Sequence, residues 1–449
     1  MRAESELLKR WPENKVAPDL GRITALMTYL GDPQFSCPVI HLAGTNGKTS
    51  TARMIESLLH SFGMTTGLFT SPALHSMTER IQVNGKPISI EQFESAFEDV
   101  EPYLALVDQT SIAAGGPPVT MFEAITAMAF AAFADAPVDV MVIECGMGGT
   151  WDATNVVNPT VSTITPIGFD HTDYLGATLE EIATEKAGII KDSVPIVLAN
   201  QLVDAAAVLL RASIEHGVEP LREGIEFAVL ERTVAIGGQQ LTLQGLGGTY
   251  DDIYLPLHGT HQASNAVVAL ATVEAFFGVD GRQLDVGIVR AGFAAATSPG
   301  RLERVRTSPA VIVDSAHNPA GAAAAAGAVE EAFGFDHIIG IVAVLADKDA
   351  RGLLDALEPV VSEVVVTQNS SPRSLPVGEL AAIASEVFGA DRVIAVDTIS
   401  AALVRAVEMA DEPEVLGHAG VVAIGSVVTA ADVRALVGVD ARKDLEDDE

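Results

Sequence analysis

The chain has 449 residues, of which 48% are hydrophobic, and its 60 acidic and 27 basic residues give a formal net charge of −33. This length suffices for two or three domains with large buried cores. The acidic balance argues against nucleic acid or an anionic membrane surface as a partner, because both would be repelled. A local cluster of basic side chains would still allow an anionic substrate.

The N-terminus and the apolar segments do not resemble targeting or membrane sequences. Residues 1–15, MRAESELLKRWPENK, lack the apolar core of a signal peptide. The longest apolar region, residues 125–142, is interrupted by Asp135, Pro137 and Asp139. Cys37 and Cys145, the two cysteines, lie far apart and predict no disulfide framework. We expect a cytoplasmic monomer.

The first 297 residues alternate between predicted strands and helices after a helical lead-in. The predicted strands are 39–43, 66–70, 140–143, 161–164 and 195–198, and the predicted helices are 51–62, 92–107, 120–133, 178–190, 204–216 and 259–277. Residues 79–90 indicate a hairpin with an Asn84-Gly85 turn, and residues 227–243 a second one with a Gly237-Gly238 turn. The apolar run 140–143 lacks alternation, as is typical of buried parallel strands.

Residues 297–300, TSPG, are the best candidate for a linker, and the same alternation resumes beyond them. The predicted strands there are 311–314, 338–344, 364–367, 393–396 and 421–425, and the predicted helices are 321–333, 380–388 and 402–409. This pattern predicts a second, smaller, mostly parallel α/β domain. The charged tail, residues 443–449, is typical of disorder.

A glycine-bracketed turn joins the first predicted strand to its helix in residues 40–50, IHLAGTNGKTS. Backbone N–H groups and the helix dipole at such a turn favour a polyphosphate, and Lys48 adds a positive charge. Leu42 stands where the general phosphate-loop pattern has glycine, so the motif is the variant GTNGKT/S. The alternative is a polar surface turn with a chance lysine. Together with the alternation of strands and helices, the phosphate-loop interpretation predicts an α/β fold: a large N-terminal P-loop-type, parallel-sheet ATPase domain (residues 1–297) and a smaller C-terminal Rossmann-like domain (residues 298–449).

Several polar residues follow predicted strands, where ligands gather in open α/β sheets. They are Ser71, Glu144, Asp170, His171, Asp314 and His317. Glu144 suits a magnesium ion opposite the phosphates, although it is also explained as an ordinary strand-end carboxylate. His171 is either a ligand or a structural histidine. Arg301 suits phosphate or an interdomain salt bridge.

Assembled, these segments resemble the folylpolyglutamate synthase/dihydrofolate synthase family, which are Mur-ligase-type, ATP-dependent amide synthases. The resemblance spans about residues 20–435 and rests on motifs that occur in family order. They are HLAGTNGKTS (41–50), TSP (70–72), ERIQVNGKPIS (79–89), FEAITAMAF (122–130), ECGMGG (144–149), DATN (152–155), DHTDYLGATLEEIATEKAGIIK (170–191), HQASNA (261–266), SPGRLE (298–303), DSAHNPAG (314–321), DKD (347–349), SPR (371–373) and GS (425–426).

The resemblance implies a role for each matching residue. The implied ATP contacts are Thr45, Asn46, Gly47, Lys48, Thr49, Ser50, Asn265, Arg301 and Asp314. The implied catalytic residues are Lys48, Lys186 and His317; the implied metal ligands are Ser71, Glu144 and His171; and the implied substrate contacts are Thr120, Met121, Phe122, Glu123 and Trp151. Two magnesium ions are implied. Lys186, which helical spacing alone assigns to an ion pair, resembles the family's carbamylated lysine.

The implied activity is ATP-dependent addition of L-glutamate to dihydropteroate, to the γ-carboxylate of folate glutamates, or to both, through an acyl phosphate. The alternatives are an amino-acid ligase for a UDP-linked cell-wall precursor and a nucleotide-gated regulatory protein. Three positions depart from the family pattern. Thr150 stands where arginine is common, Ala73 where histidine is common, and Thr49 where glycine is common. Thr49 thereby gains a hydroxyl that could reach magnesium.

Overall fold

The computed structural model describes residues 1–12, 15, 17–279, 281–412 and 418–439; the predicted tail, residues 443–449, lies outside them. The chain divides into two compact units. The first comprises Met1–Thr233, Gln240–Pro256 and Gln262–Thr297. The second comprises Val234–Gln239, Leu257–His261 and the chain from Ser298 onward. Among the described residues, no helix combines the length and apolar character that crossing a membrane requires.

The first unit is built on an eight-stranded sheet. Its strands are β1 (Val39–Ala43), β2 (Thr66–Phe69), β3 (Ile81–Val83), β4 (Lys86–Pro87), β5 (Val140–Glu144), β6 (Val161–Ile164), β7 (Ile196–Leu198) and β8 (Leu221–Arg222). Their spatial order is β4-β3-β2-β5-β1-β6-β7-β8. The six strands β2, β5, β1, β6, β7 and β8 are parallel to their neighbours in that order. β3 and β4 form an antiparallel hairpin that extends the sheet beyond β2.

Every residue of β1, β5 and β6 is buried, which the apolar run at 140–143 predicts for β5. His41, Ser162 and Thr163 are buried polar residues within β1 and β6. Helices cover this sheet. They are α1 (Arg2–Leu7), α2 (Gly21–Tyr29), α3 (Lys48–Ser61), α4 (Ile90–Ala113), α5 (Met121–Asp135), α6 (Thr172–Leu175), α7 (Leu179–Ala187), α8 (Val203–Glu215), α9 (Thr260–Phe277) and α10 (Val286–Ala294). One apolar core packs α2, α4 and α5 around Phe69, Phe93 and Phe130. A second packs α7 and α8 around Ile164 and Ile182.

A separate three-stranded sheet contains the second predicted hairpin. Its strands are β9 (Ala228–Ala235), β10 (Gly238–Gln244) and β11 (Thr249–Leu255), with β10 in the middle. Gly237 has a φ of 75°, so the predicted turn uses the conformation that glycine adopts without strain.

The second unit has a six-stranded sheet. Its strands are β12 (Glu303–Thr307), β13 (Ala310–Val313), β14 (His337–Val342), β15 (Glu363–Val366), β16 (Val393–Ala395) and β17 (Ala419–Ile424), in the order β12-β13-β17-β14-β15-β16. Only β12 is antiparallel to its neighbour. Its helices are α11 (Pro319–Phe333), α12 (Ala350–Leu357), α13 (Val377–Phe388), α14 (Ile399–Ala410) and α15 (Val427–Leu436). The predicted α/β class is confirmed.

Some elements have no counterpart in the sequence-based assignment: β8, β11, β12, α6, α10, α12 and α15. β12, ERVRT, is an exposed edge strand whose charged residues hide any apolar alternation. α10, VGIVRAGFA, contains two glycines, which oppose helix formation locally. It forms because it packs on α3: a Cβ added to Gly292 would lie 2.8 Å from Leu58 Cδ2.

Candidate active site

The GTNGKTS turn lies at the carboxyl end of the central strand β1 and leads into α3. Gly47, the residue before α3, has a φ of 85°, and a Cβ there would lie 2.5 Å from Asn265 Oδ1. The N–H groups of Thr45 and Asn46 donate to the carbonyl of Pro166, at 3.0 and 3.2 Å. No side chain among the described residues caps α3. The turn is therefore fixed to the segment after β6, and it presents the N-terminus of α3, where backbone N–H groups favour an anion.

Two lysine amines meet at one backbone oxygen in this turn. Lys48 Nζ donates to the carbonyl of Gly44 at 3.0 Å, and Lys186 Nζ donates to the same oxygen at 2.8 Å. Lys186 is 4% exposed. Burial, reinforced by the positive charge of Lys48, lowers the pKa of Lys186 to about 7. Lys186 therefore begins to lose its proton near neutral pH, well below the ordinary range of a lysine.

Thr49 and Glu144 meet beside the same helix terminus. Thr49 Oγ1 donates to Glu144 Oε1 at 2.9 Å and lies 3.0 Å from Oε2. Glu144 ends β5 and is 1% exposed. The hydroxyl gained at position 49 is therefore placed directly on the carboxylate predicted to hold magnesium.

Ser71 and His171 follow β2 and β6 at the same sheet edge, since β2, β5, β1 and β6 are adjacent and parallel. His171 adopts a left-handed φ of 51°, and its Nε2 lies 3.8 Å from the Asp170 carboxylate. Within the described part of the chain, no group of three or more His, Cys, Asp or Glu side chains is arranged to hold a metal ion. The set of Ser71, Glu144 and His171 stays a prediction.

A hydrogen-bond chain joins the turn to α9. Gln262 Nε2 donates to Ser50 Oγ at 3.3 Å, and Asn265 Nδ2 donates to Gln262 Oε1 at 3.1 Å. Asn265 thus lies against Gly47, 218 positions away in sequence. The structure brings Asn265 together with the turn, as the resemblance implies.

The predicted substrate segment begins α5, and two of its side chains have partners within the protein. Thr120 caps the helix by accepting from the N–H of Glu123 at 3.2 Å, and Glu123 accepts from the N–H of Thr120 at 2.7 Å. Glu123 also pairs with Arg22 at 3.0 Å, and both side chains are about 95% buried. Met121 is buried as well.

The aromatic members of the predicted set flank the ECGMGG turn. A Cβ on Gly146 would lie 2.5 Å from Phe122 Cζ, and one on Gly148 would lie 3.3 Å from Trp151 Cζ2. Both rings are partly exposed. Phe122 and Trp151 are therefore the members of the set that remain accessible to a ligand.

Three predicted site residues belong to the second unit. Asp314 is 5% exposed, and its carboxylate accepts from the N–H groups of Leu302 at 2.9 Å and Ala316 at 2.8 Å. His317 Nδ1 lies 3.2 Å from the carbonyl of Ser315. Arg301 is partly exposed and follows the predicted linker.

A buried polar cluster beneath the turn was not singled out from sequence. His41 Nε2 lies 2.8 Å from Thr154 Oγ1 and 3.1 Å from Cys145 Sγ, and Thr154 Oγ1 donates to Asp152 Oδ1 at 2.5 Å. Burial lowers the pKa of His41 to about 3 and raises the pKa of Asp152. The sequence feature that could have indicated this cluster is His41, the one polar residue in the apolar strand β1.

The chain is similar to known proteins along its whole length. The family described as Mur ligase middle domain matches residues 42–273, and the Mur ligase glutamate ligase domain matches residues 300–422. The dihydrofolate synthase/folylpolyglutamate synthase of Mycobacterium tuberculosis is 54% identical, covering 98% of this chain and 94% of the relative. The protein of the same name from Bacillus subtilis is 38% identical, covering 80% of this chain and 83% of the relative. The crystal structure of M. tuberculosis folylpolyglutamate synthase complexed with ADP and AMPPCP is 52% identical, has a TM-score of 0.93 and covers 98% of both chains.

Proposed function

The chain belongs to the folylpolyglutamate synthase/dihydrofolate synthase family of Mur ligases, and we propose that it adds L-glutamate to dihydropteroate and to the γ-carboxylate of folate glutamates at the cost of ATP. The observation that carries this proposal is the 54% identity, over 98% of the chain, to a relative named for both activities. The same similarity disfavours a ligase for a UDP-linked cell-wall precursor. We propose residues 1–297 and 298–449 as its domains, which the division of the described chain at Thr297 and Ser298 supports.

The proposed chemistry activates a carboxylate that amines do not attack unaided. The γ-phosphoryl group of ATP passes to an oxygen of the folate carboxylate, giving an acyl phosphate and ADP. The glutamate amine then attacks the acyl carbon and loses a proton, the amide bond forms, and inorganic phosphate leaves. We propose that Lys48 and the N-terminus of α3 stabilise the charge on the transferring phosphoryl group, which the position of Lys48 Nζ at the Gly44 carbonyl supports.

We propose that Lys186 is carbamylated. Its neutral amine attacks the carbon of CO2, an N–C bond forms, a proton leaves the nitrogen for water, and a carboxylate results. The pKa of about 7 supports this step, because only the unprotonated amine is nucleophilic. Burial at 4% exposure also shields the product from water.

Magnesium fits the oxygen donors at the turn, because the Thr49 hydroxyl and the Glu144 carboxylate already converge there. We propose that Glu144, Ser71 and His171 hold it, with Thr49 orienting the carboxylate. When bound, magnesium would neutralise charge on the phosphates. We further propose Arg301 and Asp314 as ATP contacts, His317 as a catalytic residue, and Phe122 and Trp151 as the pterin contacts.

The experiment is a product assay with each acceptor separately. Purified protein, ATP, magnesium and L-glutamate are incubated with dihydropteroate or tetrahydrofolate, and the products are measured by mass spectrometry. We expect a mass increase of one glutamyl unit with each acceptor. Extension of a UDP-muramoyl acceptor, with neither folate acceptor used, would overturn the proposal.

A further inference from the structure

The backbone around Lys186 lies in close contact with residues 148–150, the GGT turn after β5. A Cβ on Gly149 would lie 2.6 Å from the carbonyl oxygen of Glu185 and 3.0 Å from Lys186 Cα. A Cβ on Gly188 would collide with Thr150. The two segments therefore approach at a distance that only glycine permits, and Lys186 lies at their contact.

Thr150 fastens this contact from one side. Its N–H donates to the carbonyl of Glu185 at 2.9 Å, and its hydroxyl donates to the same oxygen at 3.2 Å. That carbonyl belongs to the last turn of α7, where it also accepts from the N–H of Gly188 at 3.2 Å. Thr150, which stands where arginine is common in the family, thus binds the backbone carbonyl of Glu185, the residue before Lys186.

Asn155 fastens it from the other side. Its Nδ2 donates to the carbonyl of Thr150 at 3.1 Å and to that of Gly188 at 3.2 Å, joining the two segments with one side chain. Lys191 Nζ also reaches the Gly188 carbonyl, at 3.1 Å, but does not bridge to Thr150. Asn155 is 9% exposed, and its N–H donates to the carbonyl of Asp152 at 2.8 Å, which fixes the start of the side chain.

The amide of Asn155 can serve this contact in one orientation only. Both of its acceptors are carbonyls, so Nδ2 must face them, and Oδ1 is buried without a hydrogen-bond partner among the described residues. Leaving a buried acceptor unpaired is unfavourable. The bridge is kept in spite of that cost.

We propose that Asn155 is a positioning residue for Lys186: together with Thr150 it holds the end of α7 so that the lysine amine stays at the Gly44 carbonyl, where it is carbamylated. This inference rests on the proposed carbamylation. Asn155 touches none of the reacting groups and acts through the backbone of residues 185–188. Loss of the bridge frees the lysine to leave the buried position, and the carbamate then forms less readily.

The test compares the native enzyme with Asn155→Ala, Thr150→Val and Thr184→Ala. Thr184→Ala is the matched control, because Thr184 lies two residues before Lys186 on the exposed side of the same helix. Its hydroxyl donates only to the backbone carbonyl of Glu180 among the contacts of the described residues. Carbamate formation is followed by carbon-13 NMR with labelled bicarbonate. Turnover at limiting and saturating bicarbonate, the KM for ATP and the melting temperature are measured in parallel.

We expect Asn155→Ala to need roughly 10-fold more bicarbonate for half-maximal carbamate signal, as is common when a supporting residue is lost. Thr150→Val raises this bicarbonate concentration by a smaller factor, and Thr184→Ala leaves it unchanged. In Asn155→Ala, kcat falls at limiting bicarbonate and recovers at saturation, while the KM for ATP stays within about twofold. A merely structural role would lower the melting temperature without rescue by bicarbonate.

A folded Asn155→Ala enzyme with the native bicarbonate dependence would overturn the inference. If that variant does not fold, Asn155→Ser decides, because it also removes the Nδ2 bridge to Thr150 and Gly188, and a native bicarbonate dependence there overturns the inference equally. A native enzyme that adds glutamate but shows no carbamate signal refutes the carbamylation of Lys186 and this inference together, and leaves the ligase activity standing.

Discussion

Lys48 and Lys186, 138 positions apart in sequence, direct their amines at one carbonyl oxygen, that of Gly44. Burial of the Lys186 amine disfavours its positive charge, and the positive charge of Lys48 adds repulsion. The carboxylates of Asp170 and Asp152 oppose the effect, but burial dominates and the pKa of Lys186 falls to about 7. The turn therefore brings Lys48 together with a second lysine that loses its proton readily.

This arrangement predicts how folding stability depends on pH. Above about pH 7 the folded protein holds Lys186 neutral, whereas the unfolded chain keeps it protonated up to the ordinary lysine pKa of 10.5. The unfolded state then binds more protons, so the free energy of unfolding rises with pH. From about pH 6.5 to 8.5 in CO2-free buffer, we expect the native protein to gain about 2 kcal/mol relative to Lys186→Met in denaturant titrations. Parallel pH profiles of the two proteins would contradict the low pKa.

Removal of the Thr49 hydroxyl tests its placement on Glu144. Thr49→Val deletes the contacts to both carboxylate oxygens, at 2.9 and 3.0 Å. We expect Thr49→Val to lose roughly 10-fold or more in kcat/KM and to need more magnesium, because it gives up a hydrogen bond to a carboxylate. Steady-state rates against magnesium concentration measure both. Thr49→Ser keeps the hydroxyl and is expected to stay near native; equal losses in the two variants would show that the hydroxyl is not the cause.

Two glycines with the same backbone angle separate strain from ligand binding. Gly47 before α3 and Gly63 after it both have a φ of 85°, but a Cβ on Gly63 would meet nothing within 4 Å. We expect Gly63→Ala to lose about 1 kcal/mol of stability and Gly47→Ala to lose more, because its Cβ would also meet the buried Asn265, and we expect only Gly47→Ala to lose affinity for ADP. Calorimetric titration with ADP and thermal melting give the comparison. Native ADP affinity in Gly47→Ala would place the nucleotide elsewhere.

The Arg22–Glu123 pair tests whether the start of α5 is held internally. Glu123→Gln removes the buried one of the two carboxylates that pair with Arg22 and leaves the half-exposed Asp19 at 3.2 Å, so we expect a destabilisation of about 2 kcal/mol in denaturant titrations. Glu101→Gln, in the exposed Arg2–Glu101 pair, is the control and should melt as the native protein does. If Glu123→Gln instead raises the KM for dihydropteroate without changing stability, the carboxylate serves the substrate directly.

Local signals in the sequence account for much of the fold and for the turn. The apolar run at 39–43 and the glycines after it predict the strand, and β1 spans Val39–Ala43. The helix after it begins at Lys48, three residues before the predicted start, because Gly47 already supplies the left-handed entry. The alternating pattern similarly predicts the parallel strands of both units. β12 is not predicted, because its stability comes from pairing with β13, which the local composition does not reveal.

Partners distant in sequence account for what local patterns miss. Helical spacing assigns Lys186 to an ion pair with the glutamates of its own helix, whereas its amine reaches Gly44, 142 positions earlier. Thr120 and Glu123 form a capping box that is visible in the sequence, but the pairing of Glu123 with Arg22 spans 101 positions. Such contacts follow from the packing of elements, and only motif resemblance anticipates them.

The most direct test of the account is phosphate release from ATP under four conditions: with neither second substrate, with L-glutamate alone, with dihydropteroate or tetrahydrofolate alone, and with both. Because the amide-forming step consumes the acyl phosphate, we predict sustained phosphate release only when glutamate and a folate acceptor are both present, in equal amount to the glutamylated product. Sustained ATP hydrolysis with neither substrate, or phosphate release without glutamylated product, would contradict the assignment of this chain as a glutamate ligase.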